Sequence, residues 1–315
     1  MTVDMLRHDV VPGTTLEMPR DRARPRLGLR NTAQAYLALT KPRIISLLLV
    51  TTVPTMIVAN EGMPSLTLIL LTLLGGTLAA AGANTINCYI DRDIDGIMAR
   101  TRERPLPAGT IAPTSALMFG ILLGTISFVI LAVGVNLLSA ALALAALAFY
   151  VLVYTIWLKR STVQNIVIGG AAGAMPPLVG WAAVTGSLGW PALVLFGIIF
   201  LWTPPHFWAL AMRYRNDYAR AGVPMLPVVR GEDETARQIV GYSVVLVATT
   251  LLLVPVAGMG VLYFVAALAL GGWFLWLAIR LFRERTPQSC RALFTYSLAY
   301  LALLYVVMGV DQLIA

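Results

Sequence analysis

Apolar residues run along this chain in long unbroken stretches, and the polar residues gather in the gaps between them. The stretches do not alternate with the period of two that marks a half-buried strand. Nine of them come near the roughly 20 residues a helix needs to cross a bilayer: 44–60, 66–88, 114–133, 137–157, 164–184, 191–212, 238–257, 260–280 and 292–313. In lipid only helices and closed barrels satisfy their own backbone, and continuous apolar runs are not the dyad pattern of a barrel strand. The expected fold is therefore all-α and polytopic: nine transmembrane helices around a central cavity open to the cytoplasmic side. The third-to-fourth and seventh-to-eighth connections are short, as in hairpins. Residues 1–34 are polar, with Pro and Arg, and predict a disordered basic cytoplasmic tail; residues 35–315 form the nine-helix domain. The tail lacks the apolar centre of a cleaved secretory signal. Its Asp4, Asp9, Glu17 and Asp21 argue against an acid-poor organelle transit peptide, so a bacterial inner membrane is expected before a mitochondrial one. His8 lies in this tail and is assigned no role.

Composition agrees with the pattern. Only 12% of residues are charged and 58% are hydrophobic, against about 25% charged in a soluble domain, which excludes a water-soluble fold. With nine spans, all 23 Lys and Arg fall on the N-terminal segment and on every second connection. The positive-inside rule makes that face cytoplasmic, with the N-terminus inside and the C-terminus outside. The net charge of +8 then reports topology and does not point to nucleic acid, although a basic face also attracts anionic lipid or a phosphorylated substrate. Cys88 and Cys290 end spans on the reducing side and predict no disulfide.

The cytoplasmic connections after the second and sixth spans are too polar to be mere linkers. Asn87, Asp91 and Asp95 recur every fourth residue, so a helix carries them on one stripe with Asn84 beside them. Carboxylates at that spacing repel unless something neutralises them, and oxygen donors alone suit Mg²⁺, which takes one or two carboxylates and completes its shell with phosphate and water. The plainer alternative is a solvated helix end. The run Asp91–Gly96 imitates the start of a calcium-binding loop, but its twelfth position is Arg102 where a bidentate Glu is required. Arg100, Arg102 and Arg104 follow, either as forks for phosphate oxygens or as topological charge. Lys159 and Arg160 end the fourth span and could meet a diphosphate. In the sixth span, Trp202-Thr203-Pro204-Pro205-His206-Phe207-Trp208 places two prolines where they should interrupt the helix, tolerable where the backbone lines a cavity or packs on protein. His206 is an intramembrane ionisable residue; a haem contact, a proton-transfer role and a hydrogen-bonded packing role all stay open. Arg213 and Asp217 are four apart, so Asp217 either completes a second metal site or pairs with Arg213 on the surface. Gly75-Gly76 and Gly169–Gly173 predict close helix packing, and Pro176-Pro177 a bend in the fifth span.

The Asn87/Asp91/Asp95 spacing resembles the first Asp-rich motif of the membrane-intrinsic prenyltransferases, the UbiA superfamily. The stretches Leu39–Arg43, Asp91–Pro107, Tyr154–Arg160, Trp202–Trp208 and Asp217–Pro227 resemble the branch of that superfamily that farnesylates protohaem. The resemblance implies transfer of a farnesyl group from farnesyl diphosphate to a vinyl group of haem B, with water supplying a hydroxyl, to give haem O and diphosphate for use by terminal oxidases. It implies Asp91, Asp95, Lys159 and His206 as catalytic residues, and Mg²⁺ held by Asn87, Asp91, Asp95 and Asp217. The diphosphate would be clamped by Asn87, Arg43, Arg100, Arg104, Lys159, Arg160 and Arg213. Haem A synthase or terminal-oxidase assembly proteins are the partners such an enzyme would serve. The chain departs from the superfamily where Asp217 is followed four residues later by Ala221 in place of a second full Asp-rich motif. A prenyltransferase acting on an aromatic quinone precursor is the alternative, and a non-catalytic haem transporter or scaffold is a third. One-sided carboxylates fit the transporter poorly, since such sites lie near mid-membrane.

Overall fold

A computed structural model describes residues 28–314. Most of the expected tail, His8 included, lies outside the described residues. Helix α1 (Leu29–Thr40) already occupies residues placed in the tail by the sequence pattern, so the folded domain begins earlier than position 35. Leu39 and Ala35 of α1 pack with Cys88, Leu106 and Ile111, an apolar stripe too short to show among the long membrane runs. Pro42 then blocks continuation: it lacks an N–H and suits a helix start. It opens α2 (Pro42–Ala59), the first span.

The second span is α3 (Leu66–Ile90), capped by Ser65, whose side chain accepts from the Leu68 N–H at 3.3 Å. The short α4 (Arg92–Ile97) follows. The third span, α5 (Pro113–Gly134), lies tightly along α3, because a Cβ on Gly82 would stand 2.7 Å from the Gly120 carbonyl oxygen. The fourth starts as α6 (Leu137–Ala148), capped by Asn136, whose amide also donates to the Ala182 carbonyl at 2.7 Å. It continues as a π-helix over Phe149–Leu158 and ends in α7 (Lys159–Ser161).

The fifth span is divided into α8 (Asn165–Gly173) and α9 (Met175–Thr185), with Pro176 and Pro177 in the first turn of α9, so the expected bend is present. Close packing is also present: a Cβ on Gly169 would strike the Tyr154 ring, and one on Gly170 would press on Thr203 at 3.0 Å. The sixth span, α10 (Trp190–Arg213), corrects the expected interruption, since it passes through Pro204 and Pro205 as one helix. Its prolines are buried in protein, and a helix flanked by neighbours can absorb the two missing N–H groups. Short helices α11 (Arg215–Arg220) and α12 (Leu226–Val229) lead into α13 (Gly231–Ala257), α14 (Val261–Glu284) and α15 (Pro287–Ile314), the last three spans. These overrun the apolar stretches into polar turns. In α13, Glu232, Asp233 and Glu234 sit in the first turn, where the helix dipole favours negative charge.

Nine membrane-capable helices are present among the described residues, in the order and near the bounds expected, and no strand. The chain is a multi-pass membrane protein. Its main core lies between α10, α13, α14 and α15, with large side chains such as Val133 and Leu137 left on the outside where lipid covers them.

Candidate active site at the ends of the second and fourth spans

Asp91 terminates α3 and precedes α4, so the stripe of Asn87, Asp91 and Asp95 is not one uninterrupted helix. Its register survives the break: the Asp91 N–H donates to the Asn87 carbonyl at 2.9 Å and the Asp95 N–H to the Asp91 carbonyl at 2.8 Å. The three side chains therefore share a side, and all are buried.

Cations from three other segments converge on them. Lys159, at the end of the fourth span, pairs with Asp91 Oδ2. Arg104, in the loop after α4, bonds Asp95 Oδ2 at 2.7 Å, and Thr101 holds that loop by donating to the Asp95 carbonyl at 2.9 Å. Arg160 makes a two-pronged pair with Asp93, both contacts at 2.7 Å. That guanidinium holds the Asp93 carboxyl down to about 2. Lys41, between α1 and α2, donates to Asn87 Oδ1 at 2.8 Å. Lys only donates and a carboxylate only accepts, so the Asn87 amide can face one way alone. Its oxygen meets Lys41, and its nitrogen donates to Asp91 Oδ2 at 2.7 Å and Thr155 Oγ1 at 3.1 Å. Asn87 thus fixes the carboxylate, with one lone pair of its amide oxygen used by Lys41.

The fourth span reaches this cluster by its π-helical end. Thr155 Oγ1 donates to the Tyr150 carbonyl five residues back at 2.8 Å. The wider winding sets Thr155 and Lys159 toward Asn87 and Asp91 while Tyr150 and Tyr154 stack at 5.3 Å between ring centroids. Segments of π-helix are rare and concentrate at functional sites.

Asp91 Oδ1 has no hydrogen-bond partner although it is sealed from solvent; Arg160 Nη2 stands 3.6 Å away, an ionic contact too long for a hydrogen bond. A buried anionic oxygen without a donor is costly. Two neighbouring carboxylates, with Asp91 Oδ1 free to bind, suit a Mg²⁺ ion that brings its remaining ligands as phosphate and water. Among the described residues there is no cluster of three or more His, Cys, Asp or Glu, so protein groups alone do not complete such a shell. The residues present fit a metal that arrives with a phosphorylated substrate.

Other expected residues fall elsewhere. Arg43 is exposed on the first turn of α2, while Lys41, two residues before it, takes the inward position. The Arg213–Asp217 pair does not form. Tyr214 breaks the helix, Arg213 stays on the exposed end of α10 with its guanidinium 5.6 Å from the Tyr214 ring, and Asp217 pairs with Arg220 inside α11. Arg100 is exposed near the rings of Tyr214, at 6.0 Å, and Tyr218. Burial raises the Tyr218 hydroxyl, and Arg100 and Arg104 oppose this. The loop of α11 therefore borders the carboxylate cluster without supplying a carboxylate that touches it. His206 lies apart from the cluster, against Ser297 of α15. Lys41 and Thr155 are the residues that motif reading passes over. Lys41 stood in the Leu39–Arg43 stretch, next to the proline that turns the chain there.

Comparison with known proteins is consistent with this geometry. The sequence profile of the UbiA prenyltransferase family matches residues 48–304. A protoheme IX farnesyltransferase of Gloeobacter violaceus is 56% identical over 300 residues, covering 95% of this chain and 98% of that one. One from Frankia alni is 55% identical, covering 89% of this chain and 98% of its own. Among solved structures, a digeranylgeranylglyceryl phosphate synthase superposes with a TM-score of 0.75 over 90% of this chain and all of that one, at 18% identity. A UbiA homologue from Archaeoglobus fulgidus, bound to DMAPP and Mg²⁺, gives 0.62 at 17% identity over 87% of this chain and 99% of its own.

Proposed function

The chain belongs to the UbiA prenyltransferase family, and from that premise we propose that it transfers a farnesyl group from farnesyl diphosphate to a vinyl group of haem B. Water adds a hydroxyl, and haem O and diphosphate leave. The observation that carries the prenyl-transfer half is the unpartnered Asp91 Oδ1 ringed by Lys159, Arg160 and, through Asn87, Lys41. The acceptor rests on relatives 53–56% identical over most of the chain, which bear the name protoheme IX farnesyltransferase.

Breaking the allylic C–O bond leaves negative charge on the departing diphosphate. Preorganised cations aimed at that charge stabilise the transition state without having to reorganise. Lys159, Arg104, Arg160 and Lys41 supply them, and each is held by a carboxylate or an amide before substrate arrives. Asp91 and Asp95 are the residues to hold Mg²⁺, which neutralises diphosphate charge when bound. Arg100 and Arg213 lie at the rim, where they attract the anionic donor without gripping it, while Asp93 and Asp217 are paired with Arg160 and Arg220. The apolar span interiors keep water from the farnesyl cation until the vinyl carbon has captured it. The positive-inside rule supports a site on the cytoplasmic face, and the bacterial relatives support a bacterial membrane, where a soluble diphosphate can reach it.

The direct test is pigment extraction from membranes with and without the protein. Haem O should appear only with it. Its absence despite good expression removes the haem reading, and prenylation of an aromatic acid by the same membranes would replace it.

A further inference from the structure

His206 is the only imidazole among the described residues, and nothing in the carboxylate cluster uses it. It lies on α10 about 10 Å below Arg213, seven residues at roughly 1.5 Å each. Trp202 and Phe294 run nearly parallel to its ring, with centroids at 4.3 Å and 4.6 Å. Its Nδ1 stands 2.6 Å from Ser297 Oγ, and Ser297 Oγ stands 2.7 Å from the Phe294 carbonyl. A hydroxyl has one proton and a carbonyl has none. Ser297 therefore donates to Phe294 and accepts from His206. The imidazole carries its proton on Nδ1, and Nε2 keeps a lone pair. Trp202 Nε1, donating to the Ser297 carbonyl at 2.8 Å, locks serine to the same helix as the histidine.

Nε2 has no hydrogen-bond partner among the described residues, yet it is not sealed away: the atoms both enclosed and unpartnered are Asp91 Oδ1, Asn165 Oδ1 and Trp208 Nε1. A packing histidine would use both nitrogens or bury the idle one. A neutral imidazole with Nδ1–H tied down and Nε2 presented, between apolar rings, is how histidine ligates iron.

Taking haem B as the acceptor proposed above, we infer that His206 Nε2 ligates its iron, with Ser297 fixing the tautomer and ring orientation. His206 is then a substrate-binding residue and Ser297 a positioning residue. The iron bond would set the depth of the porphyrin relative to the carboxylate cluster.

The test uses the full-length detergent-solubilised protein titrated with haem B, read by Soret absorption and by the iron–imidazole stretch of the ferrous form. The wild type should show histidine ligation. His206→Ala should lose the iron–nitrogen band and bind haem at least tenfold more weakly, and added imidazole should restore the band. Ser297→Ala should keep the ligand, shift the band and weaken binding on the order of tenfold. A His206→Ala protein that unfolds at the wild-type temperature and keeps the band overturns the assignment of His206, as does a Ser297→Ala protein whose band and affinity are unmoved. Haem O formation by the same wild-type preparation separates the two readings. If it forms while the band is indifferent to His206, ligation alone is wrong; if it does not form, the haem acceptor falls and the ligation with it.

Discussion

Lys41 sits in the left-handed region, at φ 55° and ψ 60°, where a side chain other than glycine costs about 1–2 kcal/mol. Such strain persists where surrounding structure enforces it and collects at functional sites. Here it turns the ammonium onto Asn87, while burial favours the neutral amine, lowering its pKa. Lys41→Gly relieves the backbone and removes the cation. The protein should withstand heat as well as the wild type, while kcat/KM for farnesyl diphosphate falls about 10²-fold, the usual size for one lost charge-stabilising donor. A fall in stability with unchanged kinetics would make Lys41 a structural joint only. Asp91→Asn should abolish turnover while leaving membrane insertion intact; an active Asp91→Asn enzyme refutes the metal role. The Asn87/Asp91/Asp95 stripe was legible because spacing by four survives a helix break that preserves i→i+4 bonds. The choice of Lys41 over Arg43 was not. It depends on a left-handed residue, which no hydrophobic period encodes, and the false Arg213–Asp217 pair fails for the same kind of reason at Tyr214.

At the scale of elements, glycine placement separates contact from mere composition. A Cβ on Gly82 meets the Gly120 carbonyl at 2.7 Å, while one on Gly76, in the same helix, meets nothing within 4 Å. Gly82→Ala should destabilise the protein in detergent by about 1–3 kcal/mol, the usual cost of overpacking, and Gly76→Ala should be neutral or better. Equal melting temperatures for the two would dissolve the tight α3–α5 seam. The sequence showed Gly75-Gly76 as the notable pair, but adjacency says nothing about which face a helix turns to its neighbour. The π-helical end of the fourth span was equally invisible, because closing each turn over one extra residue leaves the apolar content of Leu137–Leu158 unchanged. Outside the site, Asp311 shows that a charged residue near the far end of a span can be architectural: it accepts from the Gly260 N–H at 2.6 Å and the Tyr263 N–H at 3.0 Å, capping α14 from α15.

For the whole molecule, span number and order followed from length and charge alone, because the bilayer's thickness and the cost of moving Lys or Arg across it leave few alternatives. Where spans end was less legible, since α13, α14 and α15 continue into polar turns once outside the hydrocarbon. The orientation has its own check. A single cysteine placed at Gly62 should react with an impermeant thiol reagent in intact cells, and one at Ala108 only after permeabilisation. Native Cys88 and Cys290, 2% and 3% exposed, should stay silent. The reverse pattern would invert the topology and move the carboxylate site outside.

Every residue of the carboxylate cluster lies between positions 41 and 160, whereas the histidine–serine pair needs Ser297. A ribosome adding roughly 5–20 residues per second therefore has the donor-side residues in the membrane about 7–27 s before the last part of the acceptor side exists. During that interval Asp91 with Lys159, and Asp95 with Arg104, can cancel one another inside the nascent bundle. The ion pairs that later await the diphosphate also let an unfinished chain carry its charges safely through its own synthesis.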